Sequence, residues 1–157
     1  MSKFNVLIAT TDTDWVYNFV LSKKIALKTI NIKQPIMTTL QVANRYYKLA
    51  KQQKWMEILN ELYGQDIVNK EPEHAAAMGI PTITKGMDAV MAKGEARRKM
   101  IEEIHDQECS EPVTGGKFFS VSMMRDVTFK GKPRVKLEEI AVFEVNEGKI
   151  ISEQFFY

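Results

Sequence analysis

The feature that most constrains this chain is a set of three long alternating segments at its C-terminal end. Between Lys117 and Lys130, the residues Phe119, Val121, Met123, Val127 and Phe129 occupy alternate positions and so share one face of an extended strand. Gly131-Lys132-Pro133 breaks that run, a second spans residues 134–145, Asn146-Glu147-Gly148 breaks again, and residues 149–157 close the chain. Breaks this short join antiparallel neighbours in a meander. A sheet with one apolar face needs a cover, and the preceding residues must supply it.

Helical spacing upstream provides that cover. Thr38 or Thr39 can cap a helix in which Leu40, Ala43, Tyr46, Tyr47 and Ala50 share a face. After a polar break at Gln52-Gln53-Lys54, Trp55, Ile58, Leu59, Leu62 and Tyr63 form a second stripe, with Gly64 at its end. Residues 66–72 read as a short strand ended by Pro72, and 74–84 as a loop. Met87, Val90, Met91, Gly94, Ile101 and Ile104 mark a third helix. Its opposite face carries Lys93, Glu95, Arg98, Lys99, Glu102 and Glu103, read as a solvated surface. Residues 105–113 read as a further strand.

The expected fold is α+β. A curved antiparallel sheet wraps around three N-terminal helices in a cone-like roll, because a covered sheet of this length must curl. The cone spans 38–157 and leaves a cavity between sheet and helices. Residues 1–37 read as an N-terminal extension of unknown role. Either it packs on the domain or a partner, or Met37 is the natural start.

Composition removes several classes. With 45% hydrophobic residues the chain can bury a core unaided. The net charge of +2 comes from the first 36 residues, leaving the domain almost neutral and without a basic stripe, so nucleic-acid binding is not expected. Cys109 is the single cysteine, so no intrachain disulfide forms. No apolar run reaches the roughly 18 residues of a membrane span, and Val6-Leu7-Ile8-Ala9 is shorter than the about 7–15 residues of a signal-peptide core. A cytoplasmic protein with no membrane partner is expected. His74 and His105 are too isolated to suggest a metal site, and no phosphate-binding or dinucleotide loop is present.

Three stretches then suggest kinship. These are Asn44-Arg45-Tyr46-Tyr47 with Trp55 further on, Val68-Asn69-Lys70-Glu71-Pro72, and the hairpin from Val142 to Ile150. Together they resemble the nuclear-transport-factor-2-like superfamily, in particular its SnoaL-like branch, related to polyketide cyclases and ketosteroid isomerases. The resemblance covers roughly residues 38–157. It implies a helix-lined cone, frequent homodimers through the outer sheet face, and functions ranging from catalysis to plain binding.

By that resemblance Glu71 stands where the isomerases keep a proton-abstracting carboxylate, and Tyr46 where they keep an oxyanion donor. A solvated glutamate paired with Lys70 or His74, and a core tyrosine, are the plainer readings. Ala141 falls near the isomerases' second oxyanion donor, which argues against copying their activity; Glu139 could substitute. The hairpin alignment turns Glu153, Phe155 and Tyr157 inward. Glu139 and Glu153 then become inward carboxylates that Arg125 could neutralise, unless they form a structural ion pair or a one-residue slip turns them to solvent. His74 is either a proton shuttle at the cone mouth or an exposed loop residue. Trp55, Phe119, Met123, Phe155 and Tyr157 are expected to wall the cavity. The functional expectation is a pocket for a small apolar or carbonyl-containing molecule, with cofactor-free proton transfer of the isomerase or cyclase type. A non-catalytic ligand-binding or dimerisation domain is the alternative.

Overall fold

The computed structural model describes residues 35–157. The expected extension of residues 1–37 lies almost wholly outside the described residues. Helix α1 (Thr39–Ala50) opens on a reciprocal cap. The Gln41 N–H donates to Thr38 Oγ1 at 3.3 Å, and the Thr38 N–H donates to Gln41 Oε1 at 2.8 Å. Its buried stripe is Val42, Ala43, Tyr46, Leu49 and Ala50, while Leu40 is exposed, so the helix is rotated slightly from the expected face. Helix α2 (Trp55–Leu62) buries Ile58 and Leu62. Arg45 Nε donates to Glu61 Oε1 at 2.7 Å and ties α2 to α1.

The chain then enters the sheet earlier than expected. Strand β1 (Tyr63–Lys70) starts at the cap of α2, so Gly64, the residue just past that cap, already lies in the sheet. A 3₁₀ turn (Glu73–Met78) and the short strand β2 (Ile83–Lys85) occupy the expected loop. Helix α3 (Met87–Met100) stops before Ile101, and Ile101 to Ile104 already belong to strand β3 (Ile101–Cys109). Gly94 is exposed rather than packed. Strand β4 (Val113–Gly115) precedes the three long strands β5 (Phe118–Phe129), β6 (Arg134–Asn146) and β7 (Lys149–Phe156).

The sheet runs β2-β1-β7-β6-β5-β3, with β4 also on β5. It is curved and unclosed. All pairings are antiparallel except β1 with β7, which is parallel. That one pairing makes the sheet mixed, because β1 reaches it by way of helices rather than a hairpin. The meander itself follows the expected order. Phe119, Val121, Met123 and Val127 face the helices, with Ala141 and Phe143 of β6 opposite Val121 and Phe119. Phe119 and Phe143 stack at 4.6 Å, and Tyr46 lies 4.7 Å from Phe143. Burying each such side chain contributes about 1.5–3 kcal/mol, so this aromatic centre is a main anchor of helix to sheet.

Candidate functional site

Two strand ends and one helix bring a chain of polar side chains onto the concave face. Asn69 on β1 lies directly across the parallel ladder from Glu153 on β7. Glu71 stands two positions beyond Asn69, on the same side of the chain, just past the strand end. Asn69, Glu71 and Glu153 are the buried polar residues of the described chain other than the tyrosines. Lys93 reaches them from α3.

The hydrogen bonds run continuously. Tyr63 O–H donates to Glu153 Oε2. Asn69 Nδ2 donates to Glu153 Oε1 at 2.7 Å. Lys93 Nζ donates both to Asn69 Oδ1 and, at 2.6 Å, to Glu71 Oε1. Tyr157 O–H donates to Glu71 Oε2 at 3.1 Å. The His74 ring, itself exposed, meets Tyr157 edge-on at 5.2 Å. Each member is bonded, so the network holds its polar atoms away from the cost of burial without partners.

Burial dominates the titration of this region. It pushes the Glu153 carboxyl up, opposed by the Tyr63 and Asn69 hydrogen bonds and by Lys93. It pushes Glu139 up as well, opposed by Arg97 and Arg125 and assisted by Glu71. Tyr157 rises to about 12, through burial and then Glu71. Tyr46 rises well above the usual phenol value, mainly by burial, so its hydroxyl keeps its proton. Among the described residues that hydroxyl has only Met123 Sδ as acceptor, at 3.8 Å. A thioether is a weak acceptor, and the phenol's donor is therefore nearly unspent.

A cleft of about 320 Å³ is lined by none of these network residues, but Met123, the acceptor of the Tyr46 hydroxyl, is one of its walls. Gln53 of the α1–α2 connection and Trp55 at the start of α2 form one wall. The other wall is Gln107 and Cys109 of β3 with Met123 and Arg125 of β5. Burial raises the Cys109 thiol to about 11, which leaves it a poor nucleophile near neutrality.

The expected site residues thus fall into groups. Glu71, Tyr157 and His74 come together, and Glu153 joins Glu71 through Asn69 and Lys93. Trp55, Met123 and Arg125 line the cleft. Phe119 belongs to the aromatic core and Phe155 packs against it, so neither walls that cleft. Glu139 is half-buried on the concave side, yet forms no ion pair with Arg125. Lys93 corrects the reading of α3: it is not on a solvated face but pairs with Glu71, its side chain 18% exposed. Tyr63, Asn69 and Arg97 were not singled out from the sequence. The one available signal was spacing, because Val90, Lys93 and Arg97 lie three and four residues apart on one helical face. Among the described residues no group of three His, Cys, Asp or Glu side chains could hold a metal, and no helix is long and apolar enough to cross a membrane.

Helices covering a curved, unclosed sheet define a nuclear-transport-factor-2-like domain, the fold shared by SnoaL-like polyketide cyclases and ketosteroid isomerases. The chain belongs to the SnoaL-like domain family, whose sequence profile matches residues 37–157. It is similar to a protein from Mesorhizobium loti assigned as a SnoaL-like polyketide cyclase, with 26% identity and a TM-score of 0.71 over 77% of this chain and 100% of that one. It also shares its fold with a nuclear-transport-factor-2-like protein of unknown function from Burkholderia pseudomallei, at 19% identity and a TM-score of 0.63, covering 77% and 92% of the two chains. A third likeness is to a protein with a ketosteroid isomerase-like fold from Catenulispora acidiphila, solved with trimethylamine, at 15% identity and a TM-score of 0.57 over 76% and 87%. Among curated protein sequences none matches the chain.

Proposed function

We propose that this domain binds a small carbonyl-containing molecule in its cone and catalyses proton transfer on it without a cofactor. Glu71 is the base and Tyr46 the donor to the developing oxyanion. The observation that carries this reading is the Tyr46 hydroxyl, buried and protonated with only a thioether among the described residues to accept from it. Such a donor in a low-dielectric site is worth most to a forming negative charge. Glu71 adds a carboxylate on the same concave side of the sheet. Lys93 and Tyr157 hold it in place, and Tyr157 is itself 41% exposed, so it can swing away to admit a ligand.

Turnover of small enolisable ketones, followed by exchange of their α-protons with deuterated solvent, tests this. Glu71→Gln is expected to reduce the rate at least a hundredfold while the fold persists, the usual scale for a lost general base. Unchanged exchange in that variant would remove Glu71 from the chemistry.

Binding without chemistry is the second reading. One observation favours it: the Glu71 carboxylate is already occupied by Lys93 and Tyr157, and the cleft is lined by other residues. Ligand binding with no exchange in the native protein is its signature.

We further propose a homodimer through the outer sheet face. Ile140 and Phe156 lie opposite one another there, 52% and 48% exposed, and an apolar pair of this kind suits a partner surface. Sedimentation should give twice the chain mass, and Ile140→Lys should give the monomer. A native protein that sediments as a monomer at micromolar concentration excludes this interface.

A further inference from the structure

Arg125 is a charged residue where the sheet's pattern calls for an apolar one. It continues the inward face of Phe119, Val121 and Met123 on β5 and opens onto the cleft. Antiparallel ladders fix its backbone on both sides, to Gln107 of β3 and Leu137 of β6. Its guanidinium nevertheless makes no hydrogen bond or ion pair with any described residue, although Asp126, the next residue, is bound bidentately by Arg134. Glu139 lies two positions along β6 from Leu137, yet stays outside ion-pair distance. A half-buried guanidinium without a partner is costly, and its planar fork of donors matches a carboxylate.

The rest of the cleft agrees with an anion. Lys51 contributes a second cation at its rim, against the single carboxylate of Glu108. Arg97 of α3 adds positive charge near Arg125 and, after burial, is the next cause that disfavours the bare cation. Trp55, Met123 and Ala50 supply apolar wall. The volume sits at the small end of ligand pockets, which run from ~300 to ~1,000 Å³.

We infer that this cleft is a carboxylate-binding subsite, in which Arg125 holds the anion and Trp55 and Met123 hold an apolar body. The ligand class is a small aromatic or aliphatic carboxylic acid. The subsite belongs to the small-molecule pocket proposed above and depends on that reading for its ligand, but not on Glu71 for chemistry.

Phenylacetate and its neutral counterpart phenylacetamide are suitable probes, titrated into the full chain and followed by amide chemical shifts. Phenylacetate should move the amides of Gln107, Cys109 and Met123 and bind at least tenfold tighter than phenylacetamide. Arg125→Gln should abolish that preference, and Arg125→Lys should keep part of it. Equal binding of acid and amide to the native protein overturns the carboxylate subsite while leaving the pocket. Binding of neither probe in the cleft overturns the subsite and the pocket together. The comparison of acid with amide on the native chain decides the matter even if Arg125→Gln does not fold.

Discussion

Glu153→Ala is expected to lower the stability of the domain by roughly 2–4 kcal/mol, and its melting temperature by roughly 10 °C. The carboxylate is 5% exposed and accepts from two buried donors, the Tyr63 hydroxyl and Asn69 Nδ2. Alanine leaves both without an acceptor, and each unsatisfied group costs about 1–3 kcal/mol. Part of that loss is offset, because the acid is itself expensive to bury. The pH dependence separates the two contributions. Burial raises the Glu153 carboxyl above its ordinary value of 4.5, so the folded state binds its proton more tightly than the unfolded chain does. The penalty for the charged form is complete above the raised value, shrinks as the pH falls through it, and is absent below the ordinary value. The native protein should therefore gain stability relative to Glu153→Gln as the pH is lowered from 7 towards 4.5. Paired urea melts at several pH values measure this. A difference that stays constant across the range would mean that Glu153 is not buried as a titrating acid.

The same residue illustrates what the sequence could convey. Strict alternation from buried Ile150 would turn Ser152, Gln154 and Phe156 inward and leave Glu153, Phe155 and Tyr157 in solvent. The β6–β7 ladder instead pairs Val145 with Ile150 and Glu144 with Ser152, which leaves Ile151 without a partner. This bulge reverses the phase, so that Glu153 faces the helices. Periodicity alone cannot reveal one extra residue; the inward orientation was legible only through the resemblance of the hairpin to known relatives. The meander was legible because its turns are marked by Gly131 and Gly148, both at positive φ.

Helix α3 was misread for a related reason. Its sequence places a lysine and an arginine, Lys93 and Arg97, on the face that begins with Val90. Pattern reading assigns charged residues to solvent, so it turned the helix outward at that point. Only the tertiary structure supplies the buried carboxylate that makes an inward lysine favourable. The parallel pairing of β1 with β7 was hidden in the same way, since no local signal tells an isolated short strand which distant strand it will join.

Lys93→Met should be the other large effect. It removes the one cation among the described residues within ion-pair distance of Glu71, whose side chain is 3% exposed, and it also takes the donor from Asn69 Oδ1. Breaking a buried pair by deleting one partner costs about 3–5 kcal/mol. Lys93 keeps some contact with water, which moves the expectation towards about 2–4 kcal/mol. Adding Glu71→Gln should then restore much of the loss, because the neutral amide no longer requires a cation and can still accept from Tyr157. A double-mutant cycle on thermal or urea stability reads the coupling. Simple addition of the two losses would show that Lys93 and Glu71 do not pair in solution. The cycle also bears on function. Glu71→Gln alone leaves Lys93 with two neutral acceptors and should be mild for folding, whereas the proposed chemistry requires it to be severe for proton transfer. Lys93→Met should be severe for folding itself. A protein in which Glu71→Gln is harmless to both would keep this acid neither for its fold nor for its chemistry, and the base would have to be sought around Glu139 and Arg125 instead.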